Sequence, residues 1–105
     1  MIVTITARHD EVAPGLKERA EEIVAKLERI AHRPTSAHVT FDLEGRGPKA
    51  LCEIVINAAR GAVFVAKATA ADHRTALDAA EAKLRRQLDK AEAPARAVRR
   101  KAASR

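Results

Sequence analysis

Residues 37–69 read AHVTFDLEGRGPKALCEIVINAARGAVFVAKAT, and this stretch decides the fold. In 37–43, Val39, Phe41 and Leu43 fall on one side and His38, Thr40 and Asp42 on the other. In 49–58, Cys52, Ile54 and Ile56 share a side; in 62–69, Phe64, Ala66 and Ala68 alternate with Val63, Val65 and Lys67. A period of two in β-branched and aromatic residues predicts three half-buried strands. Gly45, Gly47 and Pro48 make the first connection a loop, and Arg60-Gly61 signals a tight turn, so the three strands are expected to form an antiparallel meander.

Upstream, Ile2 to Ala7 alternate again, with Val3, Ile5 and Ala7 opposite Ile2, Thr4 and Thr6, which predicts a further strand. Asp10 as capping acceptor and Pro14 in the first turn bracket a helix entry. Leu16, Ala20, Ile23, Val24, Leu27, Ile30 and Ala31 then draw one apolar stripe down a helix that ends before Pro34. Its other side balances Lys17, Arg19, Lys26 and Arg29 against Glu18, Glu21, Glu22 and Glu28, the pattern of a solvated face. Downstream, a second helix is expected from the capping Asp72 to about Glu92, stopping at Pro94. The order β-α-β-β-β-α defines an α+β domain. A long helix between strands one and two implies that they run parallel, and two singly striped helices suit one face of a four-stranded mixed sheet whose other face meets water.

The 105 residues fit one domain, and a 47% hydrophobic share supplies a core. The single Cys52 permits no intramolecular disulfide and no multi-thiolate zinc site, and it is the pattern of a reducing compartment. MIVTITARHDEV has neither the basic start nor the apolar run of a signal peptide, and no stretch approaches the ~18 apolar residues of a membrane span. A soluble, cytoplasmic protein without membrane contact is expected. The formal charge of +6 is unevenly placed: residues 1–92 carry 15 basic and 14 acidic side chains, whereas 93–105 carry Arg96, Arg99, Arg100, Lys101 and Arg105 and no acid. The expected division is therefore a domain over 1–92 and a basic, disordered tail over 93–105. Such a tail suits a polyanion such as RNA, and a merely solubilising extension has the same composition.

Helix two carries the one feature with chemistry in it. Leu77, Ala80, Leu84 and Leu88 form its buried stripe; Lys83, Arg86, Gln87 and Lys90 cluster along one flank, and Asp78, Glu81, Asp89 and Glu92 along the other with Arg85 among them. A helix so divided can lay its basic edge on a phosphate backbone, although local ion pairing on an ordinary helix gives the same spacing. Base stacking is disfavoured: there is no Trp or Tyr, and Phe41 and Phe64 both hold core positions, so an RNA contact would read backbone and shape. Gly45-Arg46-Gly47 sits in a hairpin with no helix start behind it, which is no phosphate loop. His9, His32, His38 and His73 show no metal-ligand spacing, and the register of Cys52 makes it a small core hydrophobe. No catalytic residue, cofactor, metal or small-molecule substrate is expected.

ITARH (5–9), KLERI (26–30), AHVTFDLE (37–44) and D-x-x-x-A-L-D (72–78) followed by KLRRQLDK (83–90) resemble, in order and spacing, the ribosome hibernation-promoting factor and ribosome-associated inhibitor family over residues 1 to about 92. The resemblance implies a β-α-β-β-β-α domain similar to a double-stranded RNA-binding fold. It implies docking to rRNA and ribosomal proteins of the small subunit between head and body, where mRNA and the A and P tRNAs bind. Translation would then be blocked while the ribosome is preserved in stationary phase or stress. Arg8 and His9 match the end of the family's first strand, and Lys83, Arg86, Gln87 and Lys90 match its basic second helix, the four residues that helical spacing also selects.

The chain departs from the family at Ala31-His32 and His73-Arg74, where aromatic residues and Met-Tyr are common, and at Ala91-Glu92-Ala93-Pro94, which interrupts the basic run. Arg96, Arg99, Arg100 and Lys101 would replace those charges from the tail. The second domain with which long members pair ribosomes has no counterpart in these residues, and a monomer off the ribosome is expected. A protein-binding regulator of the sigma-factor modulator type, a generic RNA-binding domain and a small α/β enzyme are the other readings. Removing residues 93–105 is expected to lower ribosome affinity and flatten its salt dependence; sedimentation with ribosomes at several salt concentrations measures both, and unchanged values would leave the tail irrelevant to docking.

Overall fold

Four stretches of alternating side chains become strands in the computed structural model, which describes residues 2–8, 12–44 and 49–104, with 44 and 92–104 along the backbone only. The elements are β1 (Ile2–Ala7), α1 (Pro14–Ile30), β2 (Pro34–Glu44), β3 (Lys49–Ala58), β4 (Val63–Ala70) and α2 (His73–Ser104). The sheet order is β1-β2-β3-β4, with β1 parallel to β2 and the remaining pairs antiparallel, as the element order predicts. Register brings Val39 opposite Ile54 and Ile54 opposite Ala66, with Ile5 beside Val39, so one face is apolar from edge to edge.

That face is covered by α2 over β3 and β4 and by α1 toward β1 and β2. Phe41, Leu27, Ile54, Ile56, Leu77, Leu84 and Leu88 are the largest side chains in the resulting core, and among the described residues no polar or charged residue is buried with them. Cys52 is fully buried there, and desolvation pushes its thiol up to about 12, so it is protonated at neutral pH and inert as a nucleophile.

The ends of the elements are set by local chemistry. Proline occupies the first turn of α1, where its missing N–H costs nothing, and the cap position is Ala13, whose side chain offers no hydrogen bond; Asp10 lies outside the described residues. At the far end the Ala31 N–H closes on the Leu27 carbonyl at 2.9 Å, and Arg33, in the left-handed region at φ 50°, turns the chain into Pro34. The β3–β4 connection holds Arg60 and Gly61 at φ 66° and 74°, the two consecutive positive values of a type I′ hairpin turn, as Arg60-Gly61 predicts.

The extent of α2 corrects one expectation. A stop near Glu92 is predicted from Pro94, yet the helix backbone continues to Ser104. A proline within a helix forfeits one backbone hydrogen bond and crowds the carbonyl four residues earlier, but the alanines at 93, 95, 97, 102 and 103, with Arg and Lys between them, are among the strongest helix formers.

Two glycine substitutions should act in opposite directions in denaturant unfolding. An added Cβ at Gly61 meets no atom within 4 Å, so Gly61→Ala is expected to cost only its left-handed backbone strain, about 1–2 kcal/mol. Gly15 lies in the first turn of α1 with equally open space, and Gly15→Ala is expected to stabilise by up to about 1 kcal/mol.

Candidate nucleic-acid interface

The start of α2 is fixed by a cap. Asp72 Oδ1 accepts the Thr75 backbone N–H at 2.8 Å, and this bond, favouring the ionised carboxylate, holds the Asp72 carboxyl below its usual range. From there Ala76, Leu77, Ala80, Leu84 and Leu88 keep one stripe of the helix fully buried. The ring of His73, at the first helical position, meets Phe41 edge to face with centroids 5.7 Å apart.

With that stripe seated, the two flanks of α2 meet different neighbours. The acidic flank turns to α1: Arg19 donates through Nη2 at 2.7 Å and Nε at 3.2 Å to Asp78 Oδ1, and the guanidinium is held above its ordinary pKa by this pairing. Arg85 bridges Glu81, one turn before it, at 3.3 Å. Both pairs are solvent-accessible and contribute little stability; they neutralise carboxylates on the flank opposite the basic one.

The basic flank turns to the free edge of β4. Lys83 Nζ donates to the Lys67 carbonyl at 2.9 Å and Gln87 Nε2 to the Val65 carbonyl at 2.7 Å. Arg86 and Lys90 are exposed and hold no hydrogen bond or ion pair among the described residues. Of the four helix residues selected from sequence, all therefore lie on one flank, but two of them also fasten the helix to the sheet. Nothing in one-dimensional spacing distinguishes a lysine that reaches an edge carbonyl from one that reaches solvent; the distinction needs the position of β4. Lys67 is a cation that spacing on α2 could not nominate: it is exposed on the open face of the sheet, opposite Glu53 of β3.

Arg8 is exposed at the end of β1, and its N–H donates to the Phe41 carbonyl at 2.7 Å, extending the pairing with β2. It stands at the opposite sheet edge from α2's basic flank, three strand spacings or about 14 Å away. His9 lies outside the described residues, as do the side chains of Arg96, Arg99, Arg100 and Lys101, whose backbone belongs to α2.

Among the described residues no group of three or more His, Cys, Asp and Glu could hold a metal ion, and no helix is long and apolar enough to cross a membrane. Clefts among the described residues include an open trough at the start of α1 beside Arg19 and Arg74, a small apolar notch between Ile30, Ala62, Phe64 and Leu88, and an open hollow beside Lys49, Thr69, Ala70 and Ala71.

This arrangement of four strands and two helices is shared with solved structures. A ribosomal subunit interface protein from Coxiella burnetii superposes with a TM-score of 0.74 at 24% identity, over 89% of this chain and 99% of that one. The N-terminal domain of Protein Y from Thermus thermophilus does so with a TM-score of 0.70 at 25% identity, over 86% of this chain and 98% of that one. No curated protein matches the sequence significantly. Residues 3–94 match the family model described as Sigma 54 modulation protein / S30EA ribosomal protein, and the chain belongs to this family.

The capping of α2 is testable through pH. A carboxyl held below its usual range adds stability that is present above the ordinary carboxylate pKa and disappears as pH falls through the lowered one. Asp72→Ala is therefore expected to melt below the parent protein at neutral pH, with the gap narrowing as the solution is acidified; a gap independent of pH would mean that the carboxylate charge contributes nothing to the cap.

Proposed function

We propose that this chain is a ribosome hibernation factor: a non-enzymatic inhibitor that binds the small ribosomal subunit at the mRNA channel and the A and P tRNA sites, in the cytoplasm, during stationary phase or stress. The observation that carries the reading is the one-sided helix α2 in a member of this family. Arg86 and Lys90 are exposed beside Lys83, while Asp78 and Glu81, on the opposite flank, are already paired with Arg19 and Arg85. Phosphate contacts of this kind position a domain without reading bases, and occlusion asks for no more than position. Arg8 and the basic residues Arg96, Arg99, Arg100 and Lys101 would add further phosphate contacts, and the absence of Trp and Tyr from the sequence fits recognition by backbone and shape.

The family description, which names the S30EA ribosomal protein, supports the ribosomal part of the reading, and the similar Coxiella burnetii protein is itself a ribosomal subunit interface protein. The first half of the family description names sigma 54 modulation, and a protein-binding regulator is the reading that would replace this one if the ribosome experiment fails.

The experiment is co-sedimentation of the purified protein with salt-washed ribosomes and separated subunits across a salt series. Saturable binding to the small subunit, abolished when mRNA and initiator tRNA already occupy it, is expected. Replacing Arg86 and Lys90 by glutamine should weaken binding at every salt concentration and reduce the slope of log affinity against log salt by about one to two, while moving stability by less than about 0.5 kcal/mol. Unsaturable binding to any RNA, or an affinity and slope that the double substitution leaves unchanged, would overturn the helix-flank mechanism.

A further inference from the structure

β1 and β4 are the two edges of the sheet, and the molecule treats them differently. At β4 the outward carbonyls of Val65 and Lys67 are occupied by Gln87 and Lys83, and Lys67 itself puts a charge on the strand. These are the devices by which edge strands avoid pairing with other chains. At β1 the sequence IVTITA carries no charge, no proline and no glycine. Ile2 and Val3 are 72% and 42% exposed, two of the four large apolar residues left open to water among the described residues.

The backbone of β1 can be assigned side by side. Arg8 donates its N–H to Phe41 of β2. Within a strand the N–H and C=O of one residue point the same way and successive residues alternate, so Ile2, Thr4, Thr6 and Arg8 turn theirs toward β2 while Val3, Ile5 and Ala7 turn theirs outward. Among the described residues no side chain or backbone group bonds to those three outward pairs.

We propose that the outer edge of β1 is a self-association surface whose partner is β1 of a second copy of this chain, paired antiparallel about a two-fold axis at Thr4. A two-fold interface must be complementary to itself, and this strand is. With Thr4 opposite Thr4, Val3 faces Ile5 of the other copy and Ile2 faces Thr6. The residues with outward backbone groups then oppose one another, which is the condition for bonded antiparallel pairs, and Val3 and Ile5 of each copy form four interchain backbone hydrogen bonds. The same register covers Val3 with Ile5 on the helix-bearing face and brings no like charges together. One six-residue strand per copy buries far less than a standard interface, so the association is weak and concentration-dependent. The inference stands on the sheet geometry and is independent of the ribosomal reading.

Sedimentation velocity of the full chain, carried from dilute solution to the millimolar range, is expected to show a monomer–dimer equilibrium. Val3→Lys, at an accessible position outside the core, should lower the association constant about tenfold or more, because each dimer carries the substitution twice. Val65→Lys on the sealed edge should leave it unchanged. Thr4→Cys places two thiols across the non-bonded pair on the axis, where Cα atoms approach to about 4.5 Å, and Cys52 is too buried to compete. Mild oxidation should cross-link Thr4→Cys at least about tenfold faster than the same substitution at Thr69 on β4. A monomer at every concentration would overturn the proposal, and so would a dimer that Val3→Lys leaves intact or a Thr4→Cys variant that cross-links no faster than Thr69→Cys.

Discussion

The leucine stripe of α2 can be buried against β3 and β4 in one rotational setting of the helix, and that setting decides what every other side chain on α2 can do. Leu77, Leu84 and Leu88 are each at most 1% exposed, so a rotation large enough to redirect the flanks would bring them back into water. Fully burying a leucine is worth about 1.5–3 kcal/mol, so three leucines hold the setting against any surface pairing on the flanks. The hydrogen bonds from Lys83 and Gln87 to β4 refine the position of the helix along the strand, a role within reach of neutral or singly charged bonds worth about 1 kcal/mol each. Arg19 and Asp78 do the corresponding work between the two helices.

Because the apolar setting comes first, the charge pattern is a consequence rather than a cause of the fold. Residues 1–92 are almost electrically balanced, and no net field distinguishes one side of the domain from another until the helix is placed. Placement turns Asp78 toward Arg19 and leaves Arg86 and Lys90 in water, while Glu81 is neutralised within the helix by Arg85. A nearly neutral domain thereby acquires a basic edge, which is what a phosphate backbone can recognise, without the self-repulsion of a highly charged chain.

The division between what the residues foretell and what they do not follows the same line. Periodicity predicts all four strands, both helices, the inward register of Cys52 and the side of α2 on which Lys83, Arg86, Gln87 and Lys90 lie, because each of these is fixed by local alternation against one apolar face. The Asp72 cap and the Arg60-Gly61 turn are legible for the same reason, being written in two to four adjacent residues. The partners of Lys83, Gln87 and Arg19 are not legible: they lie 16, 22 and 59 positions away in the chain and exist only after the layers pack. The continuation of α2 beyond Pro94 escapes for a different reason. Proline is the stronger single signal, but it acts at one position, whereas the propensity of the alanine- and arginine-rich stretch accumulates over the following ten residues.

The open face and edges of the sheet show how a domain with two helices covers four strands. α2 reaches β4 and, through Lys83 and Gln87, closes the edge it lies beside, whereas α1 sits above β1 and β2 and, among the described residues, nothing bonds to the outward backbone groups of β1. One helix therefore performs two tasks, burying the apolar face and blocking an edge, and it does so with the side chains whose neighbours Arg86 and Lys90 face solvent. Moving the basic flank away from β4 to improve a contact with a partner would reopen that edge. The position of the cations is thus constrained by the sheet as well as by whatever they bind, and the freedom to vary lies with Arg86 and Lys90, which hold no carbonyl.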